Sequence, residues 1–285
     1  SAIKKLFGLL NVNYIFYTKD PKAFKEYYPA WPYSLFFNAV PNSQVLSELV
    51  DALRGETVFK KGDYILYEAS KEHYLPHFYV PTRIKLYDDN GDWYGKNVSF
   101  FVDDSESDPR VGYINRAQCN RLISVELCEN TIRESNNPPI ISFRRINPIK
   151  YRIEVSGAIK PYTLIFSDQF HKDWKLFISQ SLPEQAAVTQ SYFQGSVNEG
   201  KHENIFWDSR TFETLGMKSI PEQRHMMVNG YANAWLIKPE DANGADKYEI
   251  IVEMIEQRYF YYGLSISAVS LVVFMIYGIK IMRYI

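Results

Sequence analysis

The stretch KYEIIVEMIEQRYFYYGLSISAVSLVVFMIYGI, Lys247–Ile279, joins two periodicities without a break. In its first eight residues Tyr248, Ile250, Val252 and Met254 fall on one side and Glu249, Ile251 and Glu253 on the other, the period of a strand. From Tyr259 to Ile279 no residue is charged, and these 21 positions reach roughly 31 Å as a helix, the thickness of a bilayer's hydrocarbon core. A strand that runs almost directly into a membrane-spanning helix is the expectation from which the rest follows.

The flanks of the apolar run agree with it. Tyr259, Tyr261 and Tyr262 stand at one end and Tyr277 and Tyr284 at the other, as interfacial rings do, while Lys280 and Arg283 follow the run and Glu253, Glu256, Gln257 and Arg258 precede it. The positive-inside bias places the last residues in the cytoplasm and residues 1 to about 255 outside a cell membrane crossed once. A buried core helix and a tail-anchored cytosolic arrangement are the alternatives.

Working back from the tail, RHMMVNGYANAWLIK (Arg224–Lys238) carries Asn229-Gly230, a strong hairpin signal, between two strand-like runs. In KYRIEVSG (Lys150–Gly157) Tyr151, Ile153 and Val155 face one way and Arg152 and Glu154 the other, which predicts a strand with one wet face. PYTLIFS (Pro161–Ser167) and WKLFIS (Trp174–Ser179) read as the next two strands, the three forming a meander.

Between the last two lies DQFHKD, Asp168–Asp173, rich in groups that do chemistry. It falls where the chain must turn, and turns collect polar side chains for solvation and local bonding. His171 has no serine or cysteine partner in a recognised arrangement, and the spacing of Asp168 and Asp173 fixes no separation for a glycosidase pair. The segment is read as a turn, with no catalytic residue assigned and no metal or cofactor expected. The long polar stretch from Ser179 to Arg224 carries Phe206 and Trp207, and excursions of that length on a β scaffold are often functional.

Farther upstream the signals mix. Short apolar runs, RIKLY and NVSFFV, alternate with DDNGD (Asp88–Asp92) and DDSESD (Asp103–Asp108), which lack the full alternating ligand loop of a calcium site and are read as solvated turns. Residues 2–10 predict a short helix and Asn13–Tyr17 a strand. In NSQVLSELVDALRG, Val45, Leu46, Leu49, Val50 and Leu53 form one helical stripe, with Ser43 to cap it and Gly55 to stop it. TVFKKGDYILYEA predicts two strands joined at Lys61–Asp63.

Composition narrows the function classes. With 32 Lys+Arg against 33 Asp+Glu over 285 residues, no field holds a phosphate backbone, so nucleic acid is not an expected partner. The 22 Tyr, 18 Phe and 5 Trp suit half-buried pleated surfaces, membrane-interface belts and sugar-stacking platforms. Cys119 and Cys128 match no zinc spacing; they either bridge a short loop outside the cytoplasm or remain buried thiols. No basic-then-apolar leader follows Ser1, as in a processed chain or a segment of a longer one.

The order of LLNVNYIFY (Leu9–Tyr17), LYEASKEHYLPHFYV (Leu66–Val80), NPIKYRIEVSGAIKPYTLIFSDQFHKDWKLF (Asn147–Phe177), HMMVNGYANAW (His225–Trp235) and a terminal membrane helix resembles the C-terminal extracytoplasmic part of multi-pass glycosyltransferases of the GT-C superfamily, arabinofuranosyltransferase-like in particular. The resemblance implies a polyprenyl-phosphate-sugar donor, work in cell-envelope glycan assembly, and a catalytic acidic residue in a multi-pass membrane domain. It carries no catalytic residue onto these positions. Partners would be the membrane, that multi-pass domain or a partner subunit, and a glycan or lipid-linked sugar.

The expected fold class is therefore α+β, mainly β. It comprises a small α/β unit over 1–80, a β-rich connecting region over 81–137, a β-sandwich similar to carbohydrate-binding modules over 138–255, and a transmembrane helix over 259–279. Trp207, Tyr231 and Trp235 are the candidate sugar contacts, since sugar rings stack on flat aromatic faces; for Trp235, core packing in a strand is the competing reading. A structural or interaction subunit of an envelope complex or surface layer is the alternative function.

Overall fold

The computed structural model describes residues 12, 14–18, 50–51, 54–62, 64–69, 75–88, 110–122, 138–179 and 212–282. They are mainly β, with three sheets and one long C-terminal apolar helix. The predicted helix over 2–10, most of the stripe over 42–55, both acidic stretches beyond Asp88, and Phe206 and Trp207 lie outside the described residues.

The first sheet has three strands, β1 (Tyr14–Thr18), β2 (Arg54–Lys61) and β3 (Tyr64–Ala69), with β3 in the middle. The β2–β3 turn passes through Gly62 at φ +58°, a left-handed conformation that glycine adopts without steric cost. Ile15, Ile65 and Tyr67 turn inward with Val50, while Tyr14, Phe16, Phe59 and Tyr64 are exposed.

The second sheet has six strands in the order β4 (Phe78–Tyr79), β9 (Tyr162–Gln169), β12 (Ala232–Ile237), β11 (His225–Val228), β6 (Val111–Asn115) and β5 (Arg83–Tyr87). All neighbours are antiparallel except β5 and β6. Strands from 81–137 and from 138–255 thus share one sheet. After β6 the chain enters a short helix, α1 (Arg116–Leu122).

The third sheet has four antiparallel strands, in the order β10 (Trp174–Ser179), β13 (Lys247–Met254), β8 (Lys150–Ser156) and β7 (Ile140–Asn147).

The expected meander over β8, β9 and β10 does not form. β8 and β10 both flank β13, whereas β9 crosses to the six-stranded sheet between β4 and β12. The reason lies in β9 itself, where Tyr162 through Ser167 are buried without interruption; a strand covered on both faces belongs in the interior of a layered structure. Its Tyr162, Leu164 and Phe166 enter a hydrophobic cluster with Tyr151, Ile153 and Val155 of β8, Trp174 and Leu176 of β10 and Tyr248, Ile250 and Val252 of β13. Ile165 points the other way, into a cluster with Val111, Tyr113 and Cys119. Phe166 is the hub of the first cluster: it stacks on Phe78 at 4.4 Å and meets Trp174 edge-on at 4.9 Å, geometries that aromatic quadrupoles favour.

The Asn229-Gly230 hairpin forms as expected between β11 and β12. Both residues have positive φ, 55° and 75°, and the Tyr231 amide donates to the Val228 carbonyl at 3.1 Å. Asn229 does more than turn the chain. Its buried side chain accepts from the Tyr113 amide and donates to the Tyr79 hydroxyl, each at 2.9 Å, tying the hairpin tip to β6 and β4.

After β13, only Ile255 and Glu256 separate the strand from helix α2 (Gln257–Met282). The span Gln257–Lys280 is long and apolar enough to cross a membrane, and its most apolar window is wholly unburied. Within it the Ser265 and Ser270 hydroxyls fold back on the carbonyls of Tyr261 and Ile266, each at 2.8 Å, so neither needs water.

Candidate functional site

The root of α2 sits against the outer face of the four-stranded sheet, where the sequence predicts solvent. That expectation is corrected for β8: Lys150 is 2% exposed and its neighbour two positions on, Arg152, is largely covered. On β13 the acidic residues Glu249 and Glu253 are buried as well. Lys150 Nζ lies 2.9 Å from Glu213 and 3.7 Å from Glu253, and Arg152 pairs with both Glu213 and Glu249. Three cations face three carboxylates once Arg258 of α2 is included. Its Nε donates to Glu253 at 3.2 Å and its guanidinium to the Thr214 hydroxyl at 2.7 Å. Buried charges persist only when paired and hydrogen-bonded, and here the pairing reaches from two strands into the first turn of the apolar helix. Phe212 meets Tyr261 edge-on at 5.6 Å and adds an apolar contact to the same joint.

Burial is the dominant influence on two carboxyls of this face, Glu249 and Glu154. It pushes Glu249 above the ordinary carboxylate range although Arg152 opposes it. Glu154, directly opposite Glu249 in the β8–β13 register, is raised by its own partial burial and then by the charge of Glu249.

Of DQFHKD, Asp168 and Gln169 complete β9 and the remainder turns as expected, the Trp174 amide donating to the His171 carbonyl at 3.1 Å, but the turn joins two sheets rather than the strands of one hairpin. Asn233 of β12, fully buried, holds it in place. Its side-chain nitrogen donates to the carbonyls of Asp168 and Gln169 at 3.0 and 3.1 Å, and its oxygen accepts from the His171 amide at 3.2 Å. The same oxygen stands 3.0 Å from His225 Nε2. A register shift between Ala232 and Asn233 aims the side chain at the turn, a common use of a bulge. His225 stacks on Trp235 at 4.6 Å, and burial there lowers its pKa to about 4, so the ring is neutral and donates Nε2–H to Asn233.

The sequence candidates are placed as follows. Trp235 is 1% exposed and covered by His225; its ring offers no face to a sugar, and the core-packing reading describes it. Tyr231, at the hairpin tip, is half-buried against the second hydrophobic cluster. Trp207 and Cys128 lie outside the described residues, while Cys119 is buried and held in a disulfide. Asp168 accepts from the Gln169 amide at 2.7 Å, whereas Asp173 gathers with His171 and Glu256.

Sequence reasoning missed the ionic joint because Lys, Arg and Glu on alternate positions look like a solvated face. It missed Asn233 because one polar residue in a strand carries no local signal. No family model, curated protein or solved structure matches the chain.

Proposed function

We propose that this chain is a membrane-anchored, extracytoplasmic accessory portion of a multi-pass glycosyltransferase in cell-envelope glycan assembly, itself without catalytic residues. The observation that carries the anchoring is the passage of β13 into α2 within two residues, reinforced by the Arg258 pairing to Glu253. The four- and six-stranded sheets sharing one hydrophobic cluster favour a β-sandwich comparable to a carbohydrate-binding module. The disulfide at Cys119 favours an oxidising compartment. The glycosyltransferase assignment rests on the motif order of the sequence, with Tyr231 and Trp207 remaining as glycan contacts.

The test uses the intact chain in detergent on arrays of envelope glycans, alongside Tyr231→Ala and Trp207→Ala. Saturable binding weakened by either substitution supports the reading; absence of binding to every glycan refutes the sugar-contact role. Labelling of whole cells with a membrane-impermeant lysine reagent must reach the ectodomain; labelling confined to broken cells refutes the orientation.

A second reading, an interaction subunit of an envelope complex, is favoured by the outer face of the three-stranded sheet. Tyr14, Phe16, Phe59 and Tyr64 are all exposed there, and Phe16 stacks on Tyr64 at 5.8 Å. Apolar patches of this kind mark interaction sites.

A further inference from the structure

We propose that His171, Asp173 and Glu256 form a binding site for a divalent transition-metal ion, with zinc the preferred occupant, at the seam between the inter-sheet turn and the root of α2. The three side chains each offer one ligand atom, and these atoms all lie within 4.8 Å of one another. His171 and Asp173 come from the turn, and Glu256 from the two-residue join after β13.

The His171 Nδ1–Asp173 Oδ2 separation is 3.6 Å. Tetrahedral zinc with bonds of about 2.0–2.1 Å places its ligand atoms about 3.3 Å apart, so this edge needs to close by only a few tenths of an ångström. The edges to Glu256 need up to about 1.5 Å at that geometry, which rotation of an exposed glutamate side chain supplies.

The backbone that presents these groups is already fixed. The His171 amide donates to Asn233 at 3.2 Å, the Ile255 amide donates to the Asp173 carbonyl at 3.0 Å, and the Tyr259 amide donates to the Glu256 carbonyl at 3.0 Å. Donors on a tied backbone bind a metal with little reorganisation. Two local contacts compete and both are weak. The Asp173 amide reaches His171 Nδ1 at 3.3 Å, and Lys172 Nζ stands 3.6 Å from Asp173 but is 80% exposed and free to swing into solvent.

The donor chemistry selects the ion. One imidazole nitrogen with two carboxylate oxygens suits zinc and its transition-metal neighbours, whereas calcium and magnesium favour all-oxygen sets. Three protein ligands leave a fourth position for water, and the bound ion fastens the turn to the residue that precedes α2. Catalysis is not required of it.

The experiment uses the intact chain in detergent, stripped with a chelator and titrated calorimetrically with zinc chloride, with cobalt(II) absorption as a second readout. The expected result is one saturable equivalent per chain, a tetrahedral cobalt spectrum, and an affinity lowered about tenfold or more by each of His171→Ala, Asp173→Asn and Glu256→Gln. Calcium and magnesium bind more weakly than zinc. Glu256→Gln changes an exposed side chain, so its loss of binding is not a folding effect, and Asp246→Asn serves as the unchanged control. Absence of saturable zinc binding, equal binding by wild type and all three variants, or a preference for calcium indifferent to His171→Ala overturns the proposal. None of these outcomes depends on glycan binding.

Discussion

The side-chain oxygen of Asn233 accepts the main-chain amide of His171 at 3.2 Å, so a residue in the middle of the six-stranded sheet dictates the path of the turn that leads into the other sheet. The same side chain holds the Asp168 and Gln169 carbonyls and His225. Asn233→Ala strips partners from buried groups that cannot reach water, and each orphaned group costs about 1–3 kcal/mol. The expected loss is about 3 kcal/mol, read as a lower urea midpoint of the intact chain in detergent. A loss below about 1 kcal/mol, the scale of one ordinary hydrogen bond, would mean that the turn holds itself.

His225 makes stability fall on acidification. Its folded pKa, lowered by burial to about 4 from 6.5, means that the unfolded chain takes up a proton at a pH where the folded one does not. The contribution of the neutral ring is complete above pH 6.5 and lost as the pH falls toward 4, by up to about 3 kcal/mol. Urea titrations at half-unit pH steps check this, and His225→Phe flattens the slope in that window.

Lys150→Met leaves Glu213 and Glu253 without their shared cation. Breaking one member out of a buried ionic group costs about 3–5 kcal/mol, so the variant unfolds at lower temperature and its helix joint loosens. Hydrogen exchange across Glu253–Tyr259 measures the second effect, which exceeds that in the strands of the three-stranded sheet.

Glu154→Gln stabilises. The residue faces Glu249 across the β8–β13 pair, and like charges directly opposed in a sheet cost about 0.2–1 kcal/mol. Both carboxyls have raised pKa values, chiefly from burial, so the folded state holds their protons more tightly than the unfolded one. The gain from the substitution is therefore fully present at neutral pH and vanishes as the pH falls through the folded pKa of Glu154. Parallel thermal melts of both proteins at neutral and acidic pH decide it.

What could be read in the sequence was what local signals specify. Asn229-Gly230 forces a turn by its own backbone preferences, and the uncharged run after Arg258 needs no partner to be a helix, so both stand as expected. Partner choice among strands is non-local: β8, β9 and β10 follow one another along the chain, yet β9 pairs elsewhere because both of its faces are buried. Alternation alone cannot separate a wet face from a buried one lined with matched charges, which is why the Arg152 side of β8 reads as wet although Lys150, Glu249 and Glu253 beside it are buried. It cannot separate an exposed tryptophan from Trp235 either. His171 and Glu256 lie far apart in sequence and meet only because β10 and β13 are neighbours.

The join of Ile255 and Glu256 leaves no slack between the sheet and α2, since the Ile255 amide is tied to Asp173 and the Arg258 and Tyr259 amides donate to the carbonyls of Ile255 and Glu256. Such a coupling behaves as a shaft rather than a tether. A twist or tilt imposed on the apolar rod is delivered to the four-stranded sheet as torque, and the height and heading of that sheet are set by how the rod stands.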